Sequence, residues 1–275
     1  MNNASLRTAQ IGPHAVGRGQ PLLLIAGPCV IESPEHTLRM ADAIAAVARR
    51  VELPLVFKAS FDKANRSSRD SYRGPGLEAG LSILKKVRDE LGLPVLSDVH
   101  EPGQAAPAAE VLDCLQVPAF LCRQTDLLVA CGRTGRAVNI KKGQFVAPEK
   151  MAHAVEKVRQ AGAADVLLTE RGAFFGYERL VNDMTSLEIM RRFAPVVFDA
   201  SHSAQHPGGG RVTGGAREFI PLLARAAIAA GVDALFLEVH DDPPSAKSDA
   251  ATAWPLDALE PLLVACQRIR AAVSP

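Results

Sequence analysis

Short apolar runs alternate with amphipathic stretches along the whole chain. Residues 22–26, 53–57, 94–96, 114–117, 137–140, 165–168, 195–198 and 234–237 are dominated by apolar side chains and have the length of strands. Nearly continuous apolar strands belong to a parallel sheet buried on both faces, whereas strands of an antiparallel sandwich alternate apolar with polar positions. Between these runs, residues 35–50, 77–91, 151–161, 216–230 and 256–271 repeat apolar positions near a 3.6-residue period, which predicts helices. Gly92, Gly162 and Gly231 stand where such helices stop before the next strand. Eight alternations of this kind predict an α/β protein, a single-domain (β/α)8 TIM barrel over residues 21–275 behind a short N-terminal extension, residues 1–20. An open doubly wound sheet is the alternative. Gly27-Pro28-Cys29 after the first strand does not form the Gly-rich fingerprint that a dinucleotide-binding version of that fold carries.

The length of 275 residues fits this fold, which typically takes about 250. Charge then narrows the partners. With 31 Lys and Arg against 30 Asp and Glu, no overall basic field draws the chain to nucleic acid or an anionic membrane, so any anion site must be local. One Trp and two Tyr leave few stacking platforms for single-stranded nucleic acid. Five widely spaced cysteines, an odd number in a chain large enough to need no staples, point to reduced thiols in a cytoplasm. Residues 1–20 carry no apolar core of signal-peptide length, and no run approaches the ~18 apolar residues of a membrane span. The expectation is a soluble cytoplasmic protein without nucleic-acid or membrane partners. Residues 207–215, with five Gly, read as a mobile loop.

Chemistry gathers at the strand ends. The first strand is followed by Cys29, the second by Lys58, the third by Asp98 and His100, and the fourth is bracketed by Gln116 and Arg123. Lys141 and Lys142 follow the fifth, Glu170 and Arg171 the sixth, Asp199 and His202 the seventh, and Glu238 and His240 the eighth. In a barrel these ends converge on the face where active sites are built. The cations Lys58, Lys63, Arg66, Arg123, Lys141 and Arg171 exceed what one monoanion requires and point to two phosphorylated or carboxylated substrates. Cys29, His202, Glu238 and Asp249 combine a soft thiolate, an imidazole and two hard carboxylates. That donor set suits a divalent transition metal (Fe, Mn, Zn or Co) better than Mg alone. Cys114, Cys122, Cys131 and Cys266 have no such company and read as structural.

Ten-odd segments stand in register from Leu24 to about Leu263: Ala26-Gly27-Pro28-Cys29 with Glu32-Ser33, residues 57–68 (FKASFDKANRSS), Tyr72-Arg73-Gly74-Pro75-Gly76-Leu77 and Ser97-Asp98-Val99-His100-Glu101. Further on come residues 116–126 (QVPAFLCRQTD), 138–145 (VNIKKGQF), 168–172 with Phe175-Gly176-Tyr177, 198–203 (FDASHS), Glu238-Val239-His240 and Ser248-Asp249. Together these segments resemble the 3-deoxy-D-manno-octulosonate 8-phosphate synthase family.

The resemblance implies condensation of phosphoenolpyruvate with D-arabinose 5-phosphate and water, a step in lipopolysaccharide biosynthesis. It implies that Lys58, Ser60, Lys63 and Gln116 hold the phosphoenolpyruvate carboxylate, and that Arg123, Lys141, Arg171 and the Ala119 backbone hold its phosphate. Asn65, Arg66, Ser67 and Asp98 would bind the aldose phosphate, with Arg66 and Ser67 serving a neighbouring subunit of a homotetramer. Lys58, Lys63, Asp98 and His202 are the implied catalytic residues. Cys29 matches the family's metal-dependent branch, implying one divalent metal per subunit on Cys29, His202, Glu238 and Asp249. Related heptulosonate synthases use erythrose 4-phosphate and usually carry Lys-Pro-Arg-Thr-Ser where this chain has Lys63-Ala64-Asn65-Arg66-Ser67-Ser68. Ser201 stands where Thr is common, and the 207–215 loop is short. A heptulosonate synthase, a non-catalytic sugar-phosphate-binding barrel and a metal-dependent aldolase remain as alternatives, and the role of the metal stays open.

Overall fold

The computed structural model describes residues 8–65, 68, 70–206 and 214–273. Eight parallel strands form its centre: β1 (Leu23–Gly27), β2 (Leu55–Lys58), β3 (Val95–Asp98), β4 (Cys114–Val117), β5 (Ala137–Lys141), β6 (Val166–Glu170), β7 (Val196–Asp199) and β8 (Ala234–His240). Each pairs with the next in chain order, and β8 pairs with both β7 and β1, closing the barrel. The outer ring is α1 (Pro34–Arg50), α2 (Leu77–Leu91), α3 (Pro102–Ala109), α4 (Thr125–Arg133), α5 (Met151–Gln160), α6 (Thr185–Arg191), α7 (Ile220–Ala229) and α8 (Leu259–Val273).

The apolar runs locate all eight strands, but most strands continue past them into polar residues. Alternate residues face the barrel axis, and the period of two explains the change. Leu23, Ile25, Val56, Leu96, Cys114, Ala137, Leu167, Val197, Ala234 and Phe236 form one buried cluster inside the barrel. Their neighbours in sequence, such as Leu24, Phe57, Leu115, Ile140, Phe198 and Leu237, pack under the helices instead. Two residues further along each strand, the inward positions are Lys58, Asp98, Gln116, Asn139, Thr169, Asp199 and Glu238, all buried. Every strand except β1 thus changes from oil to charge, amide or hydroxyl within a single pleat.

The N-terminal extension holds a hairpin, Thr8–Ile11 paired antiparallel with His14–Gly17. It buries Ala9, Ile11 and Val16 against the apolar inner cluster, and the Gln10 N–H donates to Asp165 Oδ1 at 2.8 Å. The hairpin therefore closes the end of the barrel opposite the polar layer.

Helix boundaries follow local chemistry. Ser33 caps α1 by accepting the His36 N–H at 3.1 Å, and Gly92 ends α2 in the left-handed conformation at φ 65°. The helix expected over 216–230 begins instead at Ile220. A 3-10 turn, Arg217–Phe219, precedes it, and Pro221 occupies the first helical turn, where its missing N–H costs no bond. A similar turn, Leu256–Ala258, precedes α8. The residues 207–213 of the expected mobile loop lie outside the described residues; Gly214–Gly215 pair with Gln205–His206. All five cysteines are free and buried, and among the described residues no helix is long and apolar enough to cross a membrane.

Candidate active site

The polar layer begins where β1 and β2 nearly touch. A Cβ on Gly27 would stand 1.9 Å from the Lys58 carbonyl oxygen, so only glycine lets β1 pass this close. The chain then delivers the Cys29 carbonyl to Lys58 Nζ at 2.9 Å. Lys58 Nζ also donates to Glu238 Oε1 at 2.8 Å, and neither side chain is exposed at all. Lys63 Nζ lies 3.7 Å from both Glu238 Oε1 and Asp98 Oδ2. Lys141 Nζ donates to Asp199 Oδ2 at 2.7 Å and sits 4.1 Å from the centroid of Phe236, whose ring floors the layer.

A directed hydrogen-bond chain crosses the same layer. Thr169 Oγ1 donates to Asn139 Oδ1 (2.7 Å), Asn139 Nδ2 to Gln116 Oε1 (2.9 Å), and Gln116 Nε2 to Asp98 Oδ1 (2.6 Å). From the other side Ser60 Oγ donates to Asp98 Oδ2. Every donor in the chain points toward Asp98. Burial works against ionising this carboxyl, but Lys63, Lys58 and Lys141 outweigh it and hold Asp98 well below the ordinary carboxylate range. Burial likewise opposes charge on Lys63, and the facing carboxylates of Glu238, Asp98 and Asp249 hold its ammonium well above the usual value.

Cys29, Glu238 and Asp249 bring a sulfur and two carboxylates within 4.8 Å of one another. His202 Nε2 stands 3.4 Å from Asp249 Oδ2 and 3.6 Å from Glu238 Oε1. Asp199 Oδ2 takes the Nδ1 side of His202 at 2.7 Å, which turns Nε2 toward the cluster in the manner of a histidine braced for metal. Glu238 Oε2 is buried without a hydrogen-bond partner, an unmet acceptor that a cation would satisfy. Burial raises the Cys29 thiol, and the Asp249 and Glu238 carboxylates raise it further, so it resists ionising until a cation arrives. The four residues therefore fit a divalent metal.

The remaining expected residues are distributed unevenly. Arg171 is buried; Nη2 donates to Gln205 Oε1 at 2.6 Å, whereas Nη1 has no partner. Ala119 lies in the 3-10 turn Ala119–Leu121 after β4. Asn65 is exposed, and Arg66 and Ser67 fall outside the described residues. Arg123 is exposed on the segment after β4 and lines a groove of about 630 Å³ between α4 and α5. Residue-type reasoning passed over Asn139 and Thr169. Their signal was the period of two, since each precedes an expected site residue, Lys141 or Arg171, by two positions. Glu170 was seen only as a strand end; its Oε1 accepts the Arg171 and Gly172 N–H groups (3.0 and 2.8 Å) and so anchors the arginine's backbone.

A (β/α)8 barrel whose mouth holds buried lysines, a half-free arginine and a metal-competent donor set defines an enzyme-type site for small anionic substrates. The family described as DAHP synthetase I matches residues 5–273, and the chain belongs to it. The chain is 60% identical over 261 residues to the 2-dehydro-3-deoxyphosphooctonate aldolase of Koribacter versatilis, covering 94% of each chain. Identity is 56% to the protein of that name from Geobacter metallireducens (97% of this chain, 99% of the relative) and 55% to that from a Synechococcus species (100% and 98%).

A pH dependence follows from Asp98, whose ordinary value is 3.8. Because its folded value is lower, the unfolded chain takes the proton first as pH falls. The stability Asp98 contributes is present above its ordinary value and is lost below it, at up to about 1.4 kcal/mol per pH unit for one proton. Urea midpoints measured below about pH 4 are expected to fall less steeply for Asp98→Asn than for the wild type. Equal slopes would show that Asp98 is not held ionised.

Proposed function

We propose that the chain condenses phosphoenolpyruvate with D-arabinose 5-phosphate and water, releasing 3-deoxy-D-manno-octulosonate 8-phosphate and inorganic phosphate for lipopolysaccharide biosynthesis. The observation that carries this reading is the convergence of Lys58, Lys63, Lys141 and Arg171 on one buried layer in a chain whose relatives bear the octonate name. Lys58, Ser60, Lys63 and Gln116 hold the phosphoenolpyruvate carboxylate. The second amide proton of Gln116 remains for this, since Asn139 and Asp98 engage the rest of its amide. Lys141, the Ala119 N–H and the free Nη1 of Arg171 take the phosphate. Arg123, exposed on the segment after β4, joins them at the phosphate.

The aldose phosphate enters above Asp98 and is bound by Asn65, Arg66, Ser67 and Asp98. Asp98 stays ionised and accepts from a sugar hydroxyl, which suits orientation rather than proton donation. Phosphoenolpyruvate C3 forms a bond to the aldehyde carbon, water adds at C2, and phosphate leaves by C–O cleavage. Fixed cations hold two mutually repelling anions in contact, turning a bimolecular encounter into a local one. One divalent cation per subunit (iron, manganese, zinc or cobalt) on Cys29, His202, Glu238 and Asp249 would supply a Lewis acid that polarises a carbonyl or activates water. A homotetramer is part of the same proposal. Phe120, Phe145, Phe175 and Tyr177 are 48–96% exposed around the barrel mouth, large apolar surface that a neighbouring subunit would cover.

Phosphate release measured with each aldose, before and after chelation, tests the reaction. Turnover with arabinose 5-phosphate, a marked preference for it over erythrose 4-phosphate, and loss of turnover on metal removal with recovery on readdition are expected. Preference for erythrose 4-phosphate would move the chain to heptulosonate synthesis, full turnover without metal would remove the metal, and binding without turnover would leave a sensor barrel. Sedimentation velocity is expected to give the mass of four chains; a monomer would refute the assembly.

A further inference from the structure

Two of the four candidate metal ligands sit on the scaffold: Glu238 on β8 and His202 in the one-turn helix Ala200–Ser203 after β7. The other two sit on loops. Cys29 lies between β1 and α1, and Asp249 lies in the segment after β8. Glu32, three residues beyond Cys29, ties these loops together. Its Oε1 accepts the backbone N–H of Lys247 at 2.9 Å and stands 3.2 Å from His240 Nε2. Lys247 Nζ reaches back to the Glu32 carbonyl at 3.4 Å and lies 4.7 Å from the Tyr72 ring centroid. The Tyr72 hydroxyl in turn donates to the Ile31 carbonyl at 2.9 Å. Just past this junction Ser248 Oγ lies 2.7 Å from Cys29 Sγ, and Asp249 Oδ2 lies 3.4 Å from the same sulfur. Asp249 adopts φ 46°, a left-handed conformation that a non-glycine residue keeps when its surroundings impose it.

Glu32, His36 and His240 bring their own ligand atoms within 4.8 Å of one another, close enough to hold a cation themselves. The hydrogen bonds favour a latch instead. The Asp242 N–H donates to His240 Nδ1 at 2.9 Å, so the neutral ring carries its proton on Nε2, facing Glu32, and keeps no lone pair for a metal.

We propose that Glu32 is a positioning residue that fixes the separation of Cys29 and Asp249 and thereby sets the metal affinity of the site. The proposal rests on the metal reading of Cys29, His202, Glu238 and Asp249. Cobalt(II) is the probe, with affinity taken from competition against a chelating dye and the Cys29 bond read from the thiolate-to-cobalt charge-transfer band. Glu32→Ala, and Glu32→Asp with its shorter reach, are expected to bind cobalt roughly 10- to 100-fold more weakly and to lose or shift that band. Glu32→Gln retains the carbonyl acceptor for the Lys247 N–H and is expected to stay within about threefold of wild type. Far-UV circular dichroism checks that each variant folds. A wild type lacking the band would defeat the metal reading itself. A wild type with the band, matched in affinity and spectrum by Glu32→Asp and Glu32→Ala, would overturn the latch and leave the metal reading standing. A glutamine variant as weak as alanine would overturn its hydrogen-bond basis.

Discussion

Lys58 and Glu238 form an ion pair at 2.8 Å with neither side chain exposed, and the upper half of the barrel depends on it. A buried charge without its partner costs several kcal/mol, and breaking such a pair typically costs about 3–5 kcal/mol. The pair is tolerable only because its surroundings complete it. Gly27 lets β1 approach closely enough for the Cys29 carbonyl to take a second Lys58 hydrogen bond. Lys63 then shares Glu238 with Lys58 and shares Asp98 with the hydrogen-bond chain from Thr169. Removing Lys58 or Glu238 altogether leaves its partner's charge buried with fewer contacts than it needs.

This arrangement prepares the mouth for anions before any arrive. The lysines are held by carboxylates rather than by solvent, and one of those carboxylates, Asp98, is oriented by the neutral donors Ser60 and Gln116. An incoming carboxylate or phosphate therefore meets cations already in place, at little cost in reorganisation. The precision is uneven, however. Residues on strands, such as Lys58, Asp98, Gln116 and Lys141, inherit the rigidity of the barrel, whereas Cys29 and Asp249 depend on loop contacts through Glu32 and Ser248.

The barrel was legible because its strands are buried on both faces and so read as unbroken apolar runs. The site was legible because polar residues at those run ends, such as Lys58, Asp98 and Glu238, have no packing reason to be there. Other features escaped for physical reasons. The helices α3, α4 and α6 have 8, 9 and 7 residues, too short for a 3.6-residue period to stand out. The hairpin of the extension has only four residues a strand and gains its burial from the barrel end. Arg123 matches its motif, and its exposure beyond the turn after β4 is something no motif encodes. Glu32 acts through the backbone of Lys247, more than two hundred residues away, and only barrel closure makes them neighbours.

The central claim is that the cationic layer is assembled in the substrate-free protein. Crystal structures without and with phosphoenolpyruvate test it most directly. The Nζ atoms of Lys58, Lys63 and Lys141 are expected to superpose within about 1 Å between the two states, as in other preorganised sites. Lysines that point to solvent in the free state and swing inward only with substrate would contradict the account.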